Sequence, residues 1–158
     1  MEYKKLGARG PVVSTVGFGA WGISGRDWGT TDDDKSREAE KVLFPMAQRF
    51  GTGVIVRIPL LFGLLSGKFS ADARFGDNDH RRFNLSPEKL ESYITDLKRY
   101  LPLFDEYPHH SMVQMSLRFC IAHPACHTVI PGGKTPEQVR ENVVASDLSF
   151  IAREKFIF

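Results

Sequence analysis

The sequence predicts an α/β fold in which short apolar strands run through turns directly into helices. Three observations carry this. Thr128-Val129-Ile130 is a short apolar run. It is followed by the turn residues Pro131-Gly132-Gly133 and by the helix-start signature Thr135-Pro136. Gly53-Val54-Ile55-Val56-Arg57-Ile58-Pro59-Leu60 has the pattern of a buried strand and leads into a second glycine-bearing turn. Between the two, Leu90, Ile94, Leu97 and Leu101 recur at helical spacing and define the buried stripe of a helix from Ser86-Pro87-Glu88 to about Leu101.

The other elements follow in order. Tyr3–Lys5 and Val12-Val13 flank the turn-rich stretch Gly7-Ala8-Arg9-Gly10-Pro11 and read as a hairpin. Thr15–Gly19 is a short strand, and Gly22 to Asp34 a polar loop. Ser36 to Phe50 is a helix. Pro45 inside it removes a hydrogen bond and clashes with an earlier carbonyl, so a break or kink is expected near Phe44. Gly51-Thr52-Gly53 ends that helix. Ser70 to Leu85 is polar and reads as a long loop, a lid or mobile segment. Met112 to His123 is a helix with Val113, Leu117, Cys120 and Ile121 inward, stopped by Pro124. A last helix runs from Pro136 to about Ser146, and Ala152 to Phe158 is apolar-rich.

A length of 158 residues fits one domain with a real core. Hydrophobic residues at 42% and charged residues at 25% are ordinary for a water-facing globular chain. A net charge of +2, with no basic run alternating with aromatics, argues against a nucleic-acid partner. No apolar stretch follows Met1-Glu2-Tyr3-Lys4-Lys5, so no signal peptide is expected, and no run is long enough to span a bilayer. Cys120 and Cys126 are few and unpatterned, which points to a reduced, cytoplasmic setting.

The strongest candidate site is the turn at Gly132-Gly133-Lys134. A helix N-terminus offers unpaired amides and the positive end of a dipole, and Lys134 adds a cation. An ordinary strand-turn-helix with a solvated lysine weighs equally on these residues alone. Arg57 stands at even odds between a phosphate contact and a loop carboxylate partner. His123, Cys126 and His127 read as a helix end and strand start rather than a zinc site. His109-His110 reads as an exposed turn and His80 as solvated. Asp32-Asp33-Asp34 serves better as helix N-terminal charge than as a metal site. No catalytic grouping of Ser, His and Asp has support.

Two segments together resemble the last two βα units of the aldo-keto reductase family, an NADP(H)-dependent (β/α)8 barrel. Pro59, Leu60, Gly63, Leu65, Ser66, Gly67 and Lys68 match the family's P-L-x-x-G-x-L-[ST]-G-K stretch. Val129, Ile130, Pro131, Gly132, Lys134, Thr135, Gln138, Glu141 and Asn142 match V-I-P-G-x-[KR]-[ST]-x-x-Q-x-x-E-N, with Gly133 at its variable place. Tyr3–Gly7 and Val12–Ser14 look like the hairpin that plugs the barrel floor. Val16–Gly22 looks like the first barrel strand and its loop. The resemblance implies a cofactor site formed by Pro59, Leu60, Gly63, Leu65, Gly67 and Lys68 in one segment. Ile130, Pro131, Gly132, Gly133, Lys134, Gln138, Glu141 and Asn142 would supply the other. Ile58 departs from the family, where many members carry Ser.

The family's proton-donor Tyr, its supporting Lys, Asp and His, and its nicotinamide-gripping Ser-Asn pair and Gln come from strands two to six. No segment here matches them. A full barrel needs roughly 250 residues. The resemblance therefore implies a single partial domain, residues 1–158. Residues 1–39 would supply the hairpin and first strand, 40–158 the last units, with the deletion junction near Ala39/Glu40. Strands one, seven and eight would form a partial barrel with an exposed apolar inner face holding Val16, Phe18, Val54, Val56 and Val129. The implied function is an oxidoreductase fragment with a weak or vestigial NADP(H) site, no catalytic residues and no metal, inactive alone. The alternative is an interaction protein whose half-barrel pairs with itself, a dimer being favoured, or with a partner.

Overall fold

The computed structural model describes residues 3–5, 8–14 and 33–146, without the side chains of 13–14 and 33–40. The strand expected at Thr15–Gly19 and the apolar segment Ala152–Phe158 lie outside the described residues. The chain divides into two compact units, Met1–Val54 and Ile55–Phe158.

In the first unit, β1 (Tyr3–Lys5) pairs antiparallel with β2 (Val12–Ser14), in the register Tyr3↔Ser14 and Lys5↔Val12. The hairpin is as the turn residues predict. Helix α1 runs from Asp33 to Phe50 without interruption and carries Pro45 inside it. The helix is not broken near Phe44, although a proline in a helix interior costs about 3 kcal/mol, and Pro45 is exposed. The predicted junction at Ala39/Glu40 falls within this one helix. Gly51, at φ +62°, ends it, and the Thr52 amide donates to the Ala47 carbonyl at 2.8 Å.

The second unit opens with β3 (Ile55–Arg57), which pairs parallel with β4 (Thr128–Ile130) in the register Ile55↔Thr128, Val56↔Val129, Arg57↔Ile130. A 3₁₀ segment (Leu61–Ser66) follows β3. Then come α2 (Arg81–Asn84), α3 (Pro87–Leu97), α4 (Leu101–Asp105), α5 (Met112–Ala122) and, after β4, α6 (Pro136–Val144). Three apolar clusters hold the unit. Leu64, Leu85 and Leu90 gather Phe69, Phe75 and Ile94. Leu103 and Met115 gather Phe104 and Tyr107. Val113, Leu117 and Ala145 gather Leu60 and Val129.

Three expectations need correction. The helix with the Leu90 stripe stops at Leu97, a 3₁₀ turn at Lys98–Tyr100 follows, and Leu101 is exposed rather than buried. Cys120 and Ile121 are only half-buried, whereas Met115, on another side of α5, is fully buried because α4 covers it. The stretch Ser70 to Leu85 is not a bare polar loop, since Ala73, Phe75 and Leu85 pack into the Leu64–Leu90 cluster. Among the described residues no helix is long and apolar enough to cross a membrane.

The sheet faces also differ from expectation. Val56 and Val129 are half-buried, and Val129 packs onto the Leu117 cluster. The exposed face carries Ile55, Arg57, Thr128 and Ile130. Side chains alternate along a strand, so Val56 and Val129 face the helices. The open face is mixed, with isoleucines beside a charge.

Candidate functional site

Parallel pairing of β3 and β4 puts their C-terminal ends side by side. The Pro59–Lys68 segment leaves one end and Pro131–Lys134 the other. Binding sites of parallel α/β units lie at this edge, because helix N-termini face it.

The first segment turns sharply. The Leu60 carbonyl accepts the Gly63 amide at 2.8 Å and the Leu65 amide at 3.2 Å. Ser66 Oγ donates to the Gly63 carbonyl at 2.6 Å. Ile58, Leu61 and Phe62 have φ of +53°, +44° and +57°, left-handed values that L residues avoid. Such strain gathers at binding sites and costs of order 1–3 kcal/mol per residue. Gly67 also has a positive φ, +71°, and a Cβ there would lie 3.4 Å from Met112 Sδ. Of the predicted site residues here, Pro59 is buried and Leu60 packs into the core, so both support the turn from beneath. Gly63 and Leu65 are half-buried, while Gly67 and Lys68 are exposed at the rim.

The second segment begins α6. Thr135 is extended, at φ −129° and ψ 156°, and its Oγ1 accepts the Gln138 amide at 3.3 Å. Pro136 takes the first helical position, where no amide is needed. The Gln138 side-chain carbonyl accepts the Lys134 amide at 2.7 Å, and Asn142 Nδ2 donates to the Gly132 carbonyl at 3.2 Å. These bonds fold the turn against its helix. A Cβ on Gly133 would lie 3.1 Å from Val139 Cγ2, so only glycine fits without a shift. Lys134 is exposed, as are Ile130, Gly132 and Gly133; Pro131, Gln138, Glu141 and Asn142 are half-buried.

The segment after Lys68 reaches the same edge electrostatically. Asp79 is held well below the usual carboxylate range, chiefly by hydrogen bonds from the Arg81 guanidinium and amide, with a smaller share from the charge of Lys134. Arg81 Nε donates to the two Asp79 oxygens at 2.9 and 3.0 Å. Its guanidinium lies over the rings of Phe69 and Phe75, 5.3 and 4.8 Å from their centroids.

Lys134 and the N-terminus of α6 place positive charge at this edge. Glu137 opposes it. Its carboxylate is held below the usual range by its own amide, then by Thr135 and Arg140, the last at 3.2 Å. A bound anion shares the helix end with that charge. The sequence reading missed Glu137 and Arg140, although an acid in the first turn with a base three residues on is a legible helix signal. It also missed the Arg81 cage and the strain at Ile58 to Phe62.

Elsewhere, His123 Nδ1 accepts the Ala125 amide at 3.0 Å and so fastens the turn before β4. Among the described residues no three His, Cys, Asp or Glu gather as metal ligands. Burial pushes the Cys120 thiol up to about 11, with Cys126 adding to the shift.

A model of the Aldo/keto reductase family matches residues 35–155. The chain is 30% identical over 117 residues to L-glyceraldehyde 3-phosphate reductase of Escherichia coli (strain K12), covering 71% of this chain and 34% of that protein. It is 26% identical over 117 residues to a probable voltage-gated potassium channel subunit beta of Arabidopsis thaliana, covering 70% and 35%. Among solved structures it is similar to the holo form of an aldo-keto reductase from Bacillus halodurans. That match has 24% identity and a TM-score of 0.46, and covers 75% of this chain and 36% of that one. The chain thus spans about a third of the length of the curated relatives it matches.

Proposed function

This chain belongs to the aldo/keto reductase family, and from that premise we propose that it is an oxidoreductase-like fragment that binds the phosphate and adenine end of NADP(H) weakly and does not reduce carbonyls alone. The observation that carries this reading is Lys134, exposed beside the capped N-terminus of α6 and at the same sheet edge as Gly67 and Lys68. A 2′-phosphate would meet both the lysine and the positive end of the helix. Glu137 and the lack of a matched nicotinamide grip keep the affinity low. Catalysis of hydride transfer needs an acid to protonate the developing alkoxide, a contribution of ~10²–10⁴-fold, and no residue here matches the family's donor. A reduced, cytoplasmic setting belongs to the same reading and accords with Cys120 and Cys126 being present as thiols.

Titration calorimetry of the full chain tests the binding. NADP(H) is expected to bind weakly yet in preference to NAD(H), and Lys134→Ala to lose about tenfold, or ~1.4 kcal/mol. Unchanged affinity in that variant removes Lys134 from the site. NADPH oxidation with aldehydes or quinones at a rate usual for intact reductases would overturn the proposed inactivity.

A second reading is that the chain pairs with a copy of itself. The open face of β3 and β4 favours it, with Ile55 and Ile130 both more than half exposed and Ile58 beside them. A twofold contact would use this patch twice and close on itself.

A further inference from the structure

Leu61, Phe62 and Gly63 follow one another at φ of +44°, +57° and +92°. Two of them are L residues that avoid this region, and such a turn persists only where its surroundings over-determine it. We propose that Arg81 is what holds it. Asp79 and two phenylalanine rings cage the Arg81 guanidinium, the cage presses Phe69 onto the turn, and Arg81 is thereby a positioning residue for the Pro59–Lys68 segment. The consequence for cofactor binding rests on the proposed function, whereas the hold on the turn does not.

The contacts run outward from the turn. A Cβ built on Gly63 would lie 3.6 Å from the Phe69 ring, so that ring rests on the turn's backbone. Leu61 and Phe62 pack against the same Leu64, Leu85 and Leu90 cluster as Phe69 and Phe75. The Phe69 and Phe75 rings meet edge to face, with centroids 5.2 Å apart and planes at 88°. The Arg81 guanidinium lies over both rings and joins them to the far end of the segment.

A long charged side chain keeps one place only if its far end is fixed, because ordering it costs rotamer entropy. Asp79 fixes it. Arg81 Nε donates to both Asp79 oxygens, and Arg81 Nη2 pairs with Asp79 Oδ2. The Arg81 amide also donates to Asp79 Oδ1, at 3.0 Å, which ties the carboxylate to the first residue of α2. The Leu85 amide caps that helix on the Arg81 carbonyl, and the Leu85 side chain belongs to the cluster. Both ends of the cage are therefore anchored. Only arginine offers a flat cation for the rings and a fork for the carboxylate at once; lysine supplies the charge without the fork.

Hydrogen exchange and cofactor titration of the full chain test this. The Gly63 and Leu65 amides, both bonded to the Leu60 carbonyl, read the turn, and the Gln138 amide on α6 is the control. Arg81→Leu should speed exchange at Gly63 and Leu65 about tenfold while Gln138 holds. Arg81→Lys should recover part of that protection. Asp79→Asn combined with Arg81→Leu removes the cage at unchanged net charge, and should weaken NADP(H) about tenfold without any added charge near Lys134. A parent chain that binds no NADP(H) would defeat the cofactor reading, and the exchange rates would then decide the hold on the turn alone. Unchanged exchange at Gly63 and Leu65 in Arg81→Leu would overturn the proposal. Equal acceleration at Gln138 would do so too, because it means general loosening. Parent-like affinity in the double variant would overturn the positioning role.

Discussion

The Gln138 side-chain carbonyl accepts the Lys134 amide at 2.7 Å, while the Gln138 amide donates to Thr135 Oγ1 at 3.3 Å. The two bonds are reciprocal and span the start of α6. They satisfy two donors that a helix N-terminus otherwise leaves to water. They also explain how the exposed turn at Gly132-Gly133-Lys134 keeps one shape.

Thr135→Ala removes the cap and should destabilise the chain by about 1 kcal/mol. Thr135→Ser should restore most of it, since the hydroxyl is what the Gln138 amide needs. Equilibrium urea unfolding of the two variants measures this, and an alanine variant as stable as the parent would show that the cap carries no net stability.

Ile58 offers the opposite case. A β-branched residue at φ +53° is a genuine outlier, and Ile58 is 37% exposed, so its packing offsets only part of that cost. The left-handed conformation costs an L residue about 1–2 kcal/mol. Ile58→Gly removes that cost, though it also loosens the unfolded chain. A net gain of roughly 0.5–1 kcal/mol is expected in thermal unfolding. A loss would show that the Ile58 side chain contributes more through packing than its backbone costs.

Much of the fold was legible because local chemistry set it. Thr135-Pro136 start α6 where capping rules place them, and Gly51 ends α1. Thr128–Ile130 forms β4 at its expected bounds. The failures came where tertiary packing overrode local rules. Met115 is buried because α4 crosses it, and no spacing within α5 alone marks that side. Phe69 and Phe75 became core through Arg81 and Asp79, charges that made the segment look like a solvated loop. Which sheet face packs against the helices rests on strand register. A shift of one residue exchanges Val129 with Ile130. At the site, Lys134 and its cap were legible, whereas the backbone strain at Ile58, Leu61 and Phe62 has no sequence signature.

The Cys120 thiol gives a pH dependence with a definite sign. Burial disfavours its thiolate and pushes its pKa up to about 11. The folded state therefore holds this proton more tightly than the unfolded chain. The associated stability is fully present below about pH 9 and is lost as pH rises through about 11. Alkylation by iodoacetamide in a Cys126→Ser background should be slow at pH 8 and accelerate towards pH 11. Rapid modification at pH 8 would mean that Cys120 is far more open than its place on α5 implies.

Ile130 tests the proposed self-association, because it stands 52% exposed on the open face of β4, next to the site but turned away from the Leu117 cluster. Burying an isoleucine side chain is worth about 1.5–3 kcal/mol. A twofold interface uses the residue twice, so Ile130→Asp removes about 3 kcal/mol or more and also brings two carboxylates together. The dimer constant should then weaken more than hundredfold. Because Ile130 is exposed within a single chain, its replacement should leave monomer stability within about 0.5 kcal/mol of the parent. Light scattering over a dilution series reads the first effect and urea unfolding the second. A parent chain that is monomeric at micromolar concentration, or an Ile130→Asp dimer as tight as the parent, would exclude this face as the contact.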